Sequence, residues 1–375
     1  MANQFNRPRT EKRVEAVKKL LRPHLDDSKW TELQYASLNL EQLSGTDCPD
    51  QVDRIDGTKL SSGDFDKLYD GTRTPVILTE LMEGWPANKR WRFECLEKKF
   101  HNRPFRFSEL NEKGDPVKMK MKHYMSYMKT TKDDCPLYIR DLGFANRPGL
   151  TNMVKDYVVP ELFQDDLLHY VEAYSNLPFR SFEVGPARTG TGYSNEPFNA
   201  SMWIALIVGR KNYDMVPYNP GEILFIPSEW SYIVLNLEDT VAVAQSYCSV
   251  NSFELVSGKI KRRYPKLHGK WVNKLVEERE DVANLITAMT AYDLVEEGYT
   301  DISISSDSAS STDSDDDFQQ HPTPNYDEDG LNDHTNPSVH SPEVVAIYSS
   351  CPMETNGTSH TESERVGFKY TFHSL

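Results

Sequence analysis

No apolar run in the 375 residues approaches the ~20 needed to cross a bilayer, so no membrane span is expected. The stretch from Met1 to Arg22 is polar and basic without an apolar centre, and does not read as a secretory leader. Cysteine is sparse. Cys48, Cys95, Cys135, Cys248 and Cys351 are odd in number, scattered, and form no C-x-x-C pair. That argues against a zinc ribbon or a disulfide framework and for reduced thiols in an intracellular protein. A phosphate loop is also missing: Gly190-Thr191-Gly192 lacks the following Lys-Ser/Thr and helix. Positive charge is nearly absent from the C-terminal fifth. Residues 301–375 hold 14 Asp/Glu against Arg365 and Lys369, a net of −12 out of the chain's −15. The first 300 residues, with 40 basic and 43 acidic side chains, are close to neutral, so the acidity describes a tail and not the folded body.

What is present reads as one domain with helices around a β-rich centre. Residues 9–22 carry Val14, Val17, Leu20 and Leu21 at helical spacing between Arg and Lys, and Pro23 ends the run. Residues 58–100 read as helix, strand (Pro75–Leu78), turn (Gly84–Ala87) and helix. Met119, Met121, Met125 and Met128 read as packing residues rather than a binding surface. From Phe179 to Ser249, short β-rich runs alternate with Gly and Pro: Phe182–Val184, Met202–Val208, Ile223–Ile226, Tyr232–Leu237 and Val241–Val243. That pattern indicates a sandwich or barrel. Helical periodicity returns over 266–298. Beyond about Thr300 the chain is too polar to offset its conformational entropy, so 301–375 is expected to be disordered.

Several strings resemble the JmjC-domain oxygenases, and within them the arginine demethylase and lysyl-hydroxylase (phosphatidylserine receptor) branch. They include Phe65-x-x-x-Tyr69 with Thr74–Leu78, Val117–Lys122, Asp133–Ile139, Asp156–Pro160, Gly185–Gly192 and Val234–Leu237. The likeness runs in order over roughly residues 10–280. It implies a cupin-type double-stranded β-helix at about 179–249 within a JmjC-like domain at 58–256. A helical extension at 1–57 would precede it, with a basic segment and helices at 257–300 and the Ser/Asp-rich tail after them. In that family, iron sits between a His-x-Asp/Glu pair and a distal His, a set that leaves open positions for 2-oxoglutarate and dioxygen.

Here the resemblance puts Ser194 at the first His, Glu196 at the carboxylate and Tyr232 at the distal His. One carboxylate, one neutral hydroxyl and one phenol whose ordinary pKa is ~10 do not make that ligand set. Lys211 and Tyr138 match residues that hold the distal carboxylate of 2-oxoglutarate. Ile204 and Ala244 replace two hydrogen-bonding residues around it, which would leave a buried carboxylate short of partners, and Ser246 replaces an asparagine. Tyr213 reaches Pro220 through only six residues where the branch has a long insert, so a barrel strand is expected to be missing. His24-Leu25-Asp26 and His360-Thr361-Glu362 are read as chance matches to a metal motif.

The expected function is a JmjC-like protein without oxygenase turnover, acting as a binding or regulatory protein. The competing expectation is an active Fe(II)/2-oxoglutarate dioxygenase with an unusual metal site, acting on protein lysine or methyl-arginine. No cofactor is expected under the first reading; Fe(II) and 2-oxoglutarate are expected under the second. The basic run Lys259–Lys266 reads equally as a solvated loop or as a nuclear-import or nucleic-acid contact. Lys/Arg-rich protein or RNA is the expected partner class, the nucleus the expected location, and self-association through 270–298 is open.

Overall fold

A computed structural model describes residues 7–40, 52–172, 177, 179–196, 198–213 and 216–296. The expected disordered tail lies outside them. The N-terminal helix is Arg7–Leu21, and the apolar spacing that marks it buries Val17 and Leu21 while Leu20 faces solvent. Its basic side is not merely solvated. Lys18 donates to Asp133 at 2.7 Å and lies 4.3 Å from the Trp30 ring centre, and Arg22 makes a two-pronged contact with Glu109.

The centre is built from β1 (Asp53–Asp56), β2 (Val76–Thr79), β3 (Pro104–Leu110), β4 (Pro116–Lys120) and β5 (Ile139–Asp141), followed by eight barrel strands. Those are β6 (Arg180–Gly185), β7 (Gly190–Asn195), β8 (Ser201–Val208), β9 (Lys211–Tyr213), β10 (Val216–Tyr218), β11 (Ile223–Ile226), β12 (Ser231–Asn236) and β13 (Thr240–Tyr247). The larger sheet runs β1-β2-β11-β8-β13-β6-β5-β3-β4 and the smaller one β10-β9-β12-β7. The chain therefore passes back and forth between two facing sheets, as a double-stranded β-helix does.

The expectation of a missing strand is wrong. β9 and β10 are both present and pair as a hairpin, Tyr213↔Val216 through Tyr218↔Lys211, across a two-residue connection. Strand β10 itself lies within the six residues that link Tyr213 to Pro220. Pro217 lies in β10, at the rim of the small sheet, where its missing N–H costs no ladder bond. Arg54 covers that rim, donating to the Pro217 carbonyl at 2.9 Å and to Glu222 at 2.8 Å.

Strand alternation divides the core. On β8, Trp203, Ala205 and Ile207 face the helices, where Phe163 stacks on Trp203, while Met202, Ile204 and Leu206 face the barrel lumen. The four Met read as packing residues are all buried, on β4 and on the helix Met121–Met128. A third core joins Phe253, Val256, Ile260, Trp271 and Leu275 of the C-terminal helices to Leu167, Leu168 and Phe179. The basic run is not a loop. Lys261, Arg262 and Arg263 form the exposed last turn of the helix Phe253–Arg263, where cations face the negative end of the helix dipole.

Candidate functional site: the barrel lumen

The three expected metal positions do converge. Tyr232 on β12 is the direct cross-strand partner of Ser194 on β7, and Glu196 follows two residues on. Between Tyr232/Ser194 and Val234/Thr191 the register shifts, with one extra residue on β7. This β-bulge puts Ser194 and Thr191, three residues apart, on one face of the sheet with Tyr232 and Val234, a device common beside active sites. Positions 194 and 232 thus face each other across the small sheet, with position 196 close by in sequence.

None of the three side chains is free to hold iron. Ser194 Oγ donates to the Gly192 carbonyl at 2.9 Å. Glu196 accepts from Ser246 Oγ at 2.6 Å and from the Phe198 N–H at 2.7 Å. Burial pushes the Glu196 carboxyl above its ordinary pKa, against the pull of those hydrogen bonds. The Tyr232 ring stacks on Tyr213, centres 5.7 Å apart, and its hydroxyl lies within electrostatic range of the Arg140 guanidinium. Burial raises the phenol's pKa, and the neighbouring Arg140 cation only partly offsets this, so Tyr232 stays protonated. A protonated phenol, an occupied carboxylate and a serine hydroxyl do not fit Fe(II). Among the described residues, no three His, Cys, Asp or Glu side chains gather in a way that could hold a metal ion. His24 lies outside the barrel, beside the N-terminal helix.

The expected cosubstrate residues also converge, but on a protein carboxylate. Lys211 Nζ is 2.6 Å from Glu183 Oε2, and the Tyr138 hydroxyl donates to the same oxygen at 2.7 Å. Lys211 also donates to Tyr138 at 3.1 Å. The other oxygen, Oε1, accepts from Ser181 Oγ at 3.2 Å and lies 3.3 Å from Arg140 Nε. The contacts from β5 follow from strand register, while Lys211 reaches across the lumen from β9 of the facing sheet. Arg140 on β5 stands directly opposite Glu183 on β6, and Tyr138 precedes it by two residues on the same face. The Tyr138 ring crosses Gly185 so closely that a Cβ there would lie 2.5 Å from it. Lys211 is fully buried and the Glu183 side chain is 6% exposed.

Burial alone would raise the Glu183 pKa. The Lys211 ammonium, then the Arg140 guanidinium, with the hydrogen bonds from Lys211 and Tyr138, outweigh it and bring the value from 4.5 to about 2. A carboxylate with a lowered folded-state pKa stabilises the fold above its unfolded pKa and stops doing so as pH falls through the folded value. The predicted contribution is about 3 kcal/mol above pH ~4.5, lost progressively toward pH ~2. Urea unfolding of the wild type and of Glu183→Gln from pH 7 to 3 should show the stability gap narrowing below pH ~4.5. A gap unchanged from pH 7 to pH 3 would contradict it.

The rest of the lumen is apolar. Ile204 and Ala244, both noted as replacements of polar residues, are cross-strand partners on β8 and β13. They pack with Leu224, Tyr213, Tyr218 and Val234 in one buried cluster. The third replacement, Ser246, has a partner of its own in Glu196. Sequence reasoning missed Glu183, Arg140 and the Tyr213–Tyr232 stack. The available signal was a glutamate between Phe182 and Val184 in a buried strand, since a buried charge needs a partner.

Comparisons with known proteins agree with this architecture. The chain is 35% identical over 336 residues to the bifunctional arginine demethylase and lysyl-hydroxylase psr-1 of Caenorhabditis briggsae, covering 77% of this chain and 83% of that one. It is 34% identical over 333 residues to psr-1 of Caenorhabditis elegans, covering 76% and 82%. It is 23% identical over 251 residues to the mouse 2-oxoglutarate and iron-dependent oxygenase JMJD4, covering 50% and 58%. No protein-family model matches the chain. Among the described residues, no helix is long and apolar enough to cross a membrane.

Proposed function

The chain belongs to the JmjC-domain family, whose members similar to it are Fe(II)/2-oxoglutarate oxygenases acting on proteins, and from that premise we propose that this one has no oxygenase turnover and serves as a binding or regulatory protein. The observation that carries the reading is the commitment of all three metal positions to other partners: Ser194 to a backbone carbonyl, Glu196 to Ser246 and a backbone N–H, Tyr232 to Arg140 and Tyr213. An oxygenase needs open ligand positions on one face of its iron, and this set supplies neither the imidazoles nor the openings. The competing reading, an active dioxygenase on protein lysine or methyl-arginine, rested on Glu196 and Lys211. Both already have partners inside the protein.

The partner class under this proposal is Lys/Arg-rich protein or RNA, and the location is the nucleus. Support for RNA comes from the exposed Lys261, Arg262 and Arg263 at one helix end. Support for a basic protein comes from the net −12 of residues 301–375. The catalytic half of the proposal is tested on purified full-length protein, reconstituted with Fe(II) without oxygen, desalted, and assayed for iron and for succinate formed from 2-oxoglutarate. Sub-stoichiometric iron and no succinate above background are expected. One equivalent of iron together with 2-oxoglutarate turnover would overturn the proposal.

A further inference from the structure

We infer that Glu183 is the built-in occupant of a carboxylate-binding pocket, so that the barrel supplies from its own β6 the anion that such a pocket would otherwise take from solution as a small carboxylic acid. The pocket is defined by what surrounds that carboxylate. A fully buried ammonium, Lys211, and a buried phenol, Tyr138, meet on one oxygen at 2.6 and 2.7 Å. Ser181 and Arg140 approach the other at 3.2 and 3.3 Å. An ionised carboxylate has about four acceptor sites, and here three hydrogen-bond donors and a guanidinium, from β5 with the residue before it, β6 and β9, surround one carboxylate. A cation as deeply buried as Lys211 is not left without a counter-charge, because its desolvation is too costly.

The donors also outnumber what one glutamate uses. The Tyr218 hydroxyl is buried on β10, within electrostatic range of Glu183, and has no hydrogen-bond partner. Ile204 and Ala244 belong to the apolar cluster and offer nothing polar beyond this group. The pocket is therefore suited to a single carboxylate group, and Glu183 fills it.

The inference deepens the non-catalytic reading, and the two fail separately, because its test needs neither iron nor turnover. The full-length Glu183→Ala variant should melt about 10 °C below the wild type. Acetate or 2-oxoglutarate should raise that midpoint in proportion to the logarithm of its concentration, while sodium chloride at equal ionic strength should not. Glu183→Ala/Lys211→Met, which removes the buried cation as well, should melt closer to the wild type and gain nothing from either carboxylate. The wild type should not respond to 2-oxoglutarate at all. A folded Glu183→Ala protein indifferent to both carboxylates would overturn the inference. So would a wild-type thermal shift with 2-oxoglutarate that Lys211→Met abolishes. If Glu183→Ala yields folded protein only with carboxylate present, or only when Lys211 is also replaced, the counter-charge role is supported directly.

Discussion

The variant carrying Ser194→His, Glu196→Asp and Tyr232→His is expected to bind one equivalent of Fe(II), or of Ni(II) as an air-stable substitute, at least about a thousandfold more tightly than the wild type. The expectation comes from the backbone. Positions 194 and 232 are direct cross-strand partners, so their Cβ atoms stand about 5 Å apart, and two imidazoles on that pair can meet on one ion. The bulge on β7 that puts position 194 on one face of the sheet with position 232 is already in place. Replacing Tyr232 also removes the ring stacked on Tyr213 and leaves room in the lumen. Arg140 loses one partner but keeps Glu183, and its charge favours a neutral, metal-binding imidazole at 232. The single variants should gain little, since one imidazole among occupied neighbours is not a ligand set. Cosubstrate is a separate matter. The metal-loaded triple variant should still show no calorimetric response to 2-oxoglutarate, because Glu183 holds Lys211 and Tyr138; adding Glu183→Ala should produce one. Metal retained after desalting, measured by elemental analysis, checks the first part. A folded triple variant that retains none would mean that positions 194 and 232 no longer present their side chains to a common point.

Which parts of this were legible in the sequence follows from what sets each element. β11 is readable to the residue, Ile223–Ile226, because an apolar run between Pro-Gly and Pro leaves few alternatives. The Met series is readable because Met119, Met121, Met125 and Met128 fall on the inner faces of a strand and the helix after it. β9 and β10 are not. Lys211-Asn212-Tyr213 and Val216-Pro217-Tyr218 are three-residue strands containing polar residues and a proline, and only pairing with each other and with β12 makes them strands. A short connection there therefore reads, from sequence alone, as a lost strand. The site was half legible. Likeness to a family locates positions 194, 196, 232, 211 and 138, because their order along the chain is kept. It cannot show that Lys211 and Tyr138 are already engaged, because the residue that engages them comes from β6, 28 positions before Lys211. Tertiary register, not local pattern, brings Glu183 opposite Arg140.

Lys211→Met is expected to lower the stability of the protein by about 3–5 kcal/mol, the usual loss when one partner of a buried ion pair is removed. The loss has a specific origin. Glu183 would keep Tyr138, Ser181 and Arg140, yet its strongest counter-charge would be gone, and the carboxylate would stay behind inside the barrel. Methionine fills nearly the volume of the lysine stem, so lost packing contributes little. Glu183→Leu/Lys211→Met should then behave unlike the sum of its parts. With both charges gone the apolar cluster of Ile204, Leu224 and Val234 extends over the two positions, and the double variant should lose far less than the two single losses added together. Arg140, whose side chain is 22% exposed, can turn to water for what it loses. Urea unfolding of the four proteins in the cycle measures the coupling. If the double variant loses as much as the two singles added together, the pair is not acting as a unit. If it gains, stability alone does not account for a buried Glu–Lys pair in this barrel. What the pair does do is fill, with a charge fixed to the chain, the place where a soluble carboxylate would bind.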